Sequence, residues 1–326
     1  HNFVLKTYHE DNNEIIASMI AEDRTLKRLG ENKGNLIKIG RDNYLMQKMV
    51  LGNTLHHDIV SWFPVNTDNK KFDYALSLTE ALFNVSAHGV VHGDLMPKNI
   101  MVNKVANACK SKLIDFGLSE ILHENYNGQE DIKFTKHYAS PDYSAPEVFF
   151  ANDIGMYGVF NFKSDVYSMG IILKKNLGYS DAIVDKMISI LPSERPSIEE
   201  VYKHLLMAKI VKHKELKGQD KEYLKLLEIL TTVNNTPVTS ISDDSVNKLD
   251  VLAFCGIVLQ KADTDDIRPL VTKINKDIKE HGSYCSDDLT SLLDNSQFLQ
   301  KDIGEEVFVK IQGLIGARFE SVCKFR

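Results

Sequence analysis

His92, Asp94 and Asn99 stand at short fixed offsets within Val90 to Val102, and Asp115-Phe116-Gly117 follows after a short spacer. Groups of these types in this order suit phosphoryl transfer from a magnesium nucleotide. That reaction needs one carboxylate near the incoming hydroxyl and oxygen ligands for Mg²⁺ over the phosphates. Asp94 is the candidate for the first role. Asn99 and Asp115 are the candidates for the second.

Several elements must position these groups. The β-type runs 99–102 and 112–114 lie at hairpin spacing and carry them. Lys71 to His88 reads as a helix with Leu78, Leu82 and Val85 on one face, and it leads into the loop. Upstream, Phe3-Val4-Leu5-Lys6 is a short strand ending in a lysine. Asn13 to Leu29 reads as an amphipathic helix with Ile16, Met19, Ile20, Leu26 and Leu29 on its apolar face. The runs 35–39 and 44–50 read as two more strands.

The totals bound the class. A chain of 326 residues holds one large domain, or a medium one with a smaller one. A hydrophobic content of 43% with 26% charged residues is that of a soluble globular protein. The net charge of −6 argues against general nucleic-acid binding, which leaves a basic footprint. Cys109, Cys255, Cys285 and Cys323 are scattered, so we expect reduced thiols in a cytoplasmic setting. The most apolar run, 249–259, carries Asp250 and is about half the length that spans a bilayer. The sequence begins with His1, so native residues upstream are expected.

The loop and Asp115-Phe116-Gly117 together resemble the catalytic loop and metal-binding motif of the protein-kinase superfamily. Three further stretches extend the resemblance. Ala139 to Glu147 is similar to the end of a serine/threonine-kinase activation segment. Lys163 to Gly170 is similar to the helix whose aspartate, here Asp165, braces the catalytic-loop backbone. Glu194-Arg195-Pro196 supplies the arginine expected to form a buried ion pair with Glu147.

The resemblance implies an α+β, bilobal kinase-like fold over residues 1–206, with an N-lobe to about 55, and a helical extension over 207–326. It implies ATP and Mg²⁺ as cofactors. Asp94 would orient the acceptor hydroxyl and Lys98 would reach the transferring phosphate. Asn99 and Asp115 would bind metal. Lys6, paired with Glu22, would hold the α- and β-phosphates, with Glu14 as the reserve partner. Val4, the backbone of Lys48, Met49 and Val50, and Met101 would surround the adenine, with Gln47 as gatekeeper.

The sequence also departs from the family pattern. Gly93 stands where most members have the arginine that receives an activation-loop phosphate, and Met96 replaces a lysine. No glycine-rich loop precedes Lys6, so truncation or another way of covering the nucleotide is expected. The interval from Asp165 to Arg195 is short, and the segment before Ser140 is expected to be mobile with a turn at Asn127-Gly128. These features resemble compact effector kinases that bacteria secrete into host cells. On that reading the chain works in the host cytosol on host proteins, with membrane association as an option.

The rival readings are a pseudokinase scaffold and a lipid or small-molecule kinase. The intact Asp94, Asn99 and Asp115 oppose the first, and the 139–147 segment opposes the second.

Beyond residue 206 no family resemblance holds. Residues 202–230 read as one or two helices bearing Lys203, His204, Lys209, Lys212, His213, Lys214 and Lys217. This is a solvated face or a site for an anionic activator such as a phosphoinositide. Residues 231–246 read as a linker. Helical stripes follow at Ile267, Leu270, Val271, Ile274 and Ile278, and at Ile311, Leu314, Ile315, Phe319 and Val322.

Overall fold

The computed structural model describes residues 3–323 except 9–12, 32–35, 40–41, 63–67, 106–107, 123–131, 136–139, 153–155, 218–220, 237–240 and 262–266. Asn127-Gly128 and Ala139 lie outside the described residues.

A small sheet opens the chain. Strands β1 (Phe3–Tyr8), β2 (Leu36–Ile39) and β3 (Asp42–Lys48) are antiparallel in the order β1-β3-β2. Its register sets Lys6 opposite Leu45 and Val4 opposite Gln47. Helix α1 (Asn13–Arg28) buries Met19 and Leu26 together with the polar Glu22, Asp23 and Thr25. Ile20, expected on the apolar face, is half exposed instead. The inner face of α1 is partly polar because it touches charged and hydroxyl groups of the site.

After β4 (Asn53–Thr54), α2 (Leu55–Trp62) and α3 (Asp68–Ser86) begin the larger helical region. Leu78, Leu82 and Val85 of α3 enter the core as their spacing predicts. Strand β5 (Val90–Val91) pairs with β8 (Glu120–Ile121). Between them β6 (Ile100–Val105) and β7 (Ala108–Leu113) form the expected hairpin, with Ile100 opposite Leu113. A further bond from Ile114 N to Asn99 O (2.9 Å) sets Asn99 beside the residue preceding Asp115.

Strands β9 (Lys133–Thr135) and β10 (Gly158–Phe160) pair across the activation-segment region. Helix α4 (Phe162–Ile171) starts with a reciprocal cap between Asn161 and Ser164, and it runs into a π-turn at 172–176 closed by Leu177 N to Ile172 O. The short α5 (Ala182–Met187) and the long α6 (Ile198–Lys217) follow.

The C-terminal third is helical, as expected: α7 (Lys221–Asn235), α8 (Asp243–Lys261), α9 (Arg268–His281), α10 (Ser286–Asn295), α11 (Gln300–Ile303) and α12 (Glu305–Cys323). Two points differ from the sequence reading. Helix α7 continues to Asn235 and α8 begins at Asp243, so the span 231–246 is largely helical, with 237–240 outside the described residues. Helix α6 also runs through residue 206. Met156, Val159 and Leu191 share one core with Leu252, Phe254 and Ile274 of the following helices. That shared core reflects apolar residues of α8, such as Leu249 and Val258, that need cover from both sides.

Asn275, fully buried on α9, fixes the junction. Its amide donates to Tyr157 O (2.9 Å) and its carbonyl accepts from Tyr157 N (3.0 Å). Asp250 on α8 accepts from Ser193 N (2.9 Å). Buried backbone groups are thus satisfied by side chains from the helical third. No described helix is long and apolar enough to cross a membrane.

Candidate active site

Four side chains converge where α1 faces the sheet and the hairpin. Lys6 Nζ lies 2.7 Å from Glu22 Oε2 and 2.7 Å from Asp115 Oδ1. Gln47 Nε2 donates to the other Glu22 oxygen at 2.6 Å. Burial works against charge on Lys6. The carboxylates of Glu22 and Asp115 outweigh that cost and hold the ammonium well above the usual lysine range. The expected pairing of Lys6 with Glu22 is present, and the Glu14 side chain lies outside the described residues. Gln47 does more than line a cleft: it shares Glu22 with Lys6 and closes the space behind.

Asp115 has φ +63°, the one described non-glycine residue with a positive φ. This left-handed conformation costs about 1 kcal/mol, and the salt bridge to Lys6 helps to hold it.

On the hairpin's other arm, Asp94 is held at both carboxylate oxygens. Ser140 Oγ donates to Oδ1 at 2.8 Å and Asn99 Nδ2 donates to Oδ2 at 3.0 Å. The same Asn99 nitrogen donates to Asp94 O at 2.9 Å. Beneath them His92 is buried, and burial lowers its pKa. The Asp94 N–H donates to His92 Nδ1 (3.3 Å), so Nε2–H donates to Ile114 O (3.0 Å). A neutral imidazole therefore ties the two arms together.

The loop backbone is gripped from below by Asp165, which accepts from His92 N (2.6 Å) and Gly93 N (3.1 Å). Burial pushes its carboxyl up to about 7, against those two donors. Gly93 has φ +78°, and a Cβ there would stand 2.7 Å from Leu118 O. A backbone this close to its neighbour excludes an arginine, which accounts for that departure from the family pattern.

Glu147 and Arg195 form the expected buried pair, bidentate at 2.7 and 3.0 Å. The remaining Arg195 N–H groups reach Ser189 O, Lys163 O and Ile190 O, so all five donors are satisfied.

Sequence reasoning missed one face of α1. Ser18, Glu22 and Thr25 recur at helical spacing. Ser18 Oγ donates to Gly117 O (2.9 Å), Glu22 meets Lys6, and Thr25 Oγ1 lies 2.7 Å from Ser119 Oγ in the interior. Two polar hydroxyl residues on a buried face were the available signal.

The remaining candidates are placed as follows. Lys98 is exposed on the 3₁₀ turn Pro97–Asn99, without a partner among the described residues. Val4, Lys48 and Met49 are exposed, while Val50 and Met101 are half-buried. Of the basic cluster, Lys203 pairs with Glu199, His204 lies 3.2 Å from Asp181, Lys209 lies 4.0 Å from Asp73, and Lys212 bonds Asn69. Their polar partners differ, and the side chains of His213, Lys214 and Lys217 lie outside the described residues.

The donor set fits Mg²⁺. Asn99 Oδ1 and Asp115 Oδ2 have no partner among the described residues, while each group's other polar atom is engaged and fixes its orientation. One amide and one carboxylate oxygen are what this ion takes when phosphates and water complete its octahedron. Among the described residues no group of three or more His, Cys, Asp or Glu side chains forms a metal cage.

The protein kinase domain family matches residues 4–181, more than half of the chain. A probable serine/threonine-protein kinase of Clostridium acetobutylicum is 26% identical over 253 residues, covering 74% of this chain and 36% of that one. The human serine/threonine-protein kinase Nek2 is 28% identical over 185 residues, 47% of this chain and 38% of its own. A tyrosine-protein kinase, SRK3, of the sponge Spongilla lacustris is 29% identical over 110 residues, 33% and 29% of the two chains. The chain thus spans well under half the length of these relatives. With the paired Lys6 and Glu22, the braced Asp94 and the buried Glu147–Arg195 pair in place, this chain belongs to the protein kinase domain family.

Proposed function

We propose that the chain is a serine/threonine protein kinase that moves the γ-phosphoryl of ATP to a polypeptide hydroxyl. The observation that carries this reading is Asp94, whose carboxylate is fixed by Asn99 on one side and Ser140 on the other. Ser140 belongs to the segment that resembles a serine/threonine-kinase activation loop, so the base is tied to a surface for a polypeptide acceptor. A lipid or small-molecule kinase has no use for that segment.

In this mechanism Asp94 orients the acceptor hydroxyl and takes its proton. Asn99 and Asp115 would hold Mg²⁺, which neutralises charge on the phosphates. Lys6, kept cationic by Glu22, would fix the α- and β-phosphates. Val4, Met101 and the backbone of 48–50 would flank the adenine. Lys98, exposed on its turn, is free to reach the transferring group. Asp165 and His92 keep the loop rigid, so the reacting groups are positioned before substrate arrives.

Control by phosphorylation at the catalytic loop is not part of the proposal, because Gly93 replaces the arginine that would read the phosphate. The secreted-effector reading rests on the short interval between Asp165 and Arg195.

Purified chain incubated with γ-labelled ATP, Mg²⁺ and generic protein acceptors tests the reading. Acid hydrolysis of the acceptor should yield labelled phosphoserine or phosphothreonine. Label on tyrosine alone, or on lipid headgroups and no protein, would overturn it.

A further inference from the structure

We propose that α8, outside the matched family region, forms one wall of the groove that holds the acceptor chain beside its phosphorylated residue. Gln260 and Lys175 then select a polar neighbour. The inference rests on the protein-kinase reading and assigns acceptor selectivity to the helical third.

The groove has a volume of about 480 Å³, within the range of specific ligand sites. One wall is the turn 141–144, which begins directly after the residue bonded to Asp94. That turn is rigid: Tyr143 N and Ser144 N both bond Ser140 O, and Ser168 Oγ of α4 bonds Tyr143 O at 2.8 Å. The floor comes from α4 and its π-turn, which presents Lys175 and Asn176. Such turns often mark functional positions. Ile257 and Gln260 of α8 close the opposite side.

Gly256 fixes how near α8 comes. A Cβ there would stand 2.3 Å from Pro146 O, so only glycine lets the helix rest on this backbone. Ile257 is thereby buried and Gln260 is left at the open rim.

The chemistry of the lining names the occupant. Asp142, Lys175 and Gln260 are exposed along the groove and have no partner among the described residues. An extended peptide carrying a polar side chain supplies both N–H and C=O groups to these three. A large apolar residue would leave them unpaired, and sites built to hydrogen-bond reject analogues that lack the group.

A peptide array varied around a central serine tests the proposal, probed with the full chain in two ways. Bound protein is read without nucleotide, and incorporated label is read with Mg-ATP. The wild type should favour polar residues at a position flanking the serine in both readouts. Gln260→Leu should shift that position toward apolar residues, and Lys175→Ala should flatten its charge preference. For the best wild-type peptide, Gln260→Leu should raise the acceptor KM about tenfold and leave the ATP KM unchanged. Both residues are exposed, so folding is not at stake. Label with unchanged flanking preference in both variants overturns the groove alone. Binding with the predicted preference but no label overturns the kinase reading and leaves the groove. Neither binding nor label from folded protein overturns both.

Discussion

Thr25 and Ser119 place their hydroxyl oxygens 2.7 Å apart in the interior, joining α1 to the segment after Asp115-Phe116-Gly117. Ser119 Oγ also donates to Phe116 O at 2.7 Å, so Thr25 is the donor between the two hydroxyls. Ser119→Ala leaves that donor unmade and should cost about 2 kcal/mol, whereas Thr25→Val should cost about 1 kcal/mol. Urea unfolding of both single variants and the double variant measures the coupling, and the double should cost less than the two together. A loosened α1 also displaces Glu22, so each variant should raise the ATP KM, and Thr25→Ser should restore it.

The salt bridge between Lys6 and Glu22 gives a second expectation. Lys6→Ala strands a Glu22 side chain that is 1% exposed, at a cost of about 2 kcal/mol. Removing both partners should recover part of the stability, because the uncompensated buried carboxylate goes with them. If Lys6 holds the phosphates as proposed, transfer should stay low in the double variant. Thermal unfolding beside initial rates separates the two effects.

Asp165 predicts a pH dependence. Its folded pKa of about 7 lies above the ordinary value of 3.8. Between those values the folded state binds more protons than the unfolded state. Its contribution is therefore fully present below about pH 4, falls as pH rises to 7, and is level above. The integrated change is at most roughly 4 kcal/mol. Asp165→Asn removes the titration, so the stability difference between wild type and variant should change over pH 4 to 7 and flatten beyond. A difference constant across that window would show that the carboxyl is already ionised, held so by the His92 and Gly93 amides.

Much of this arrangement was legible because the signals are local. The spacing of Asp94, Asn99 and Asp115 follows from the hairpin that carries them. The stripe of Leu78, Leu82 and Val85 follows from helical periodicity. Glu147 and Arg195 were found as a pair because the resemblance links distant motifs. What escaped the sequence depends on approach between elements. Ser18 and Thr25 look like ordinary helix-surface residues until the contacts with Gly117 and Ser119 are known. Gln47 bonding Glu22, Asn275 clasping Tyr157 and Gly256 touching Pro146 are likewise properties of packing. The 231–246 span was misread because Thr231, Thr232, Asn234 and Asn235 are weak helix formers. Tertiary burial of Val233 overrides that preference.

Gly256→Ala tests the union of the helical third with the kinase region. The added methyl group cannot be accommodated against Pro146 O, so α8 must shift, at about 1–3 kcal/mol. Acceptor KM should rise while ATP KM holds. An alanine variant with wild-type stability would show that α8 does not rest on the Pro146 backbone.

The most direct test of the central claim is steady-state phosphoryl transfer by wild type and Asp94→Asn, each checked for folding by thermal unfolding. If Asp94 takes the acceptor proton, kcat should fall by on the order of 10³-fold with little change in the ATP KM. Transfer by the variant at the wild-type rate would contradict the account.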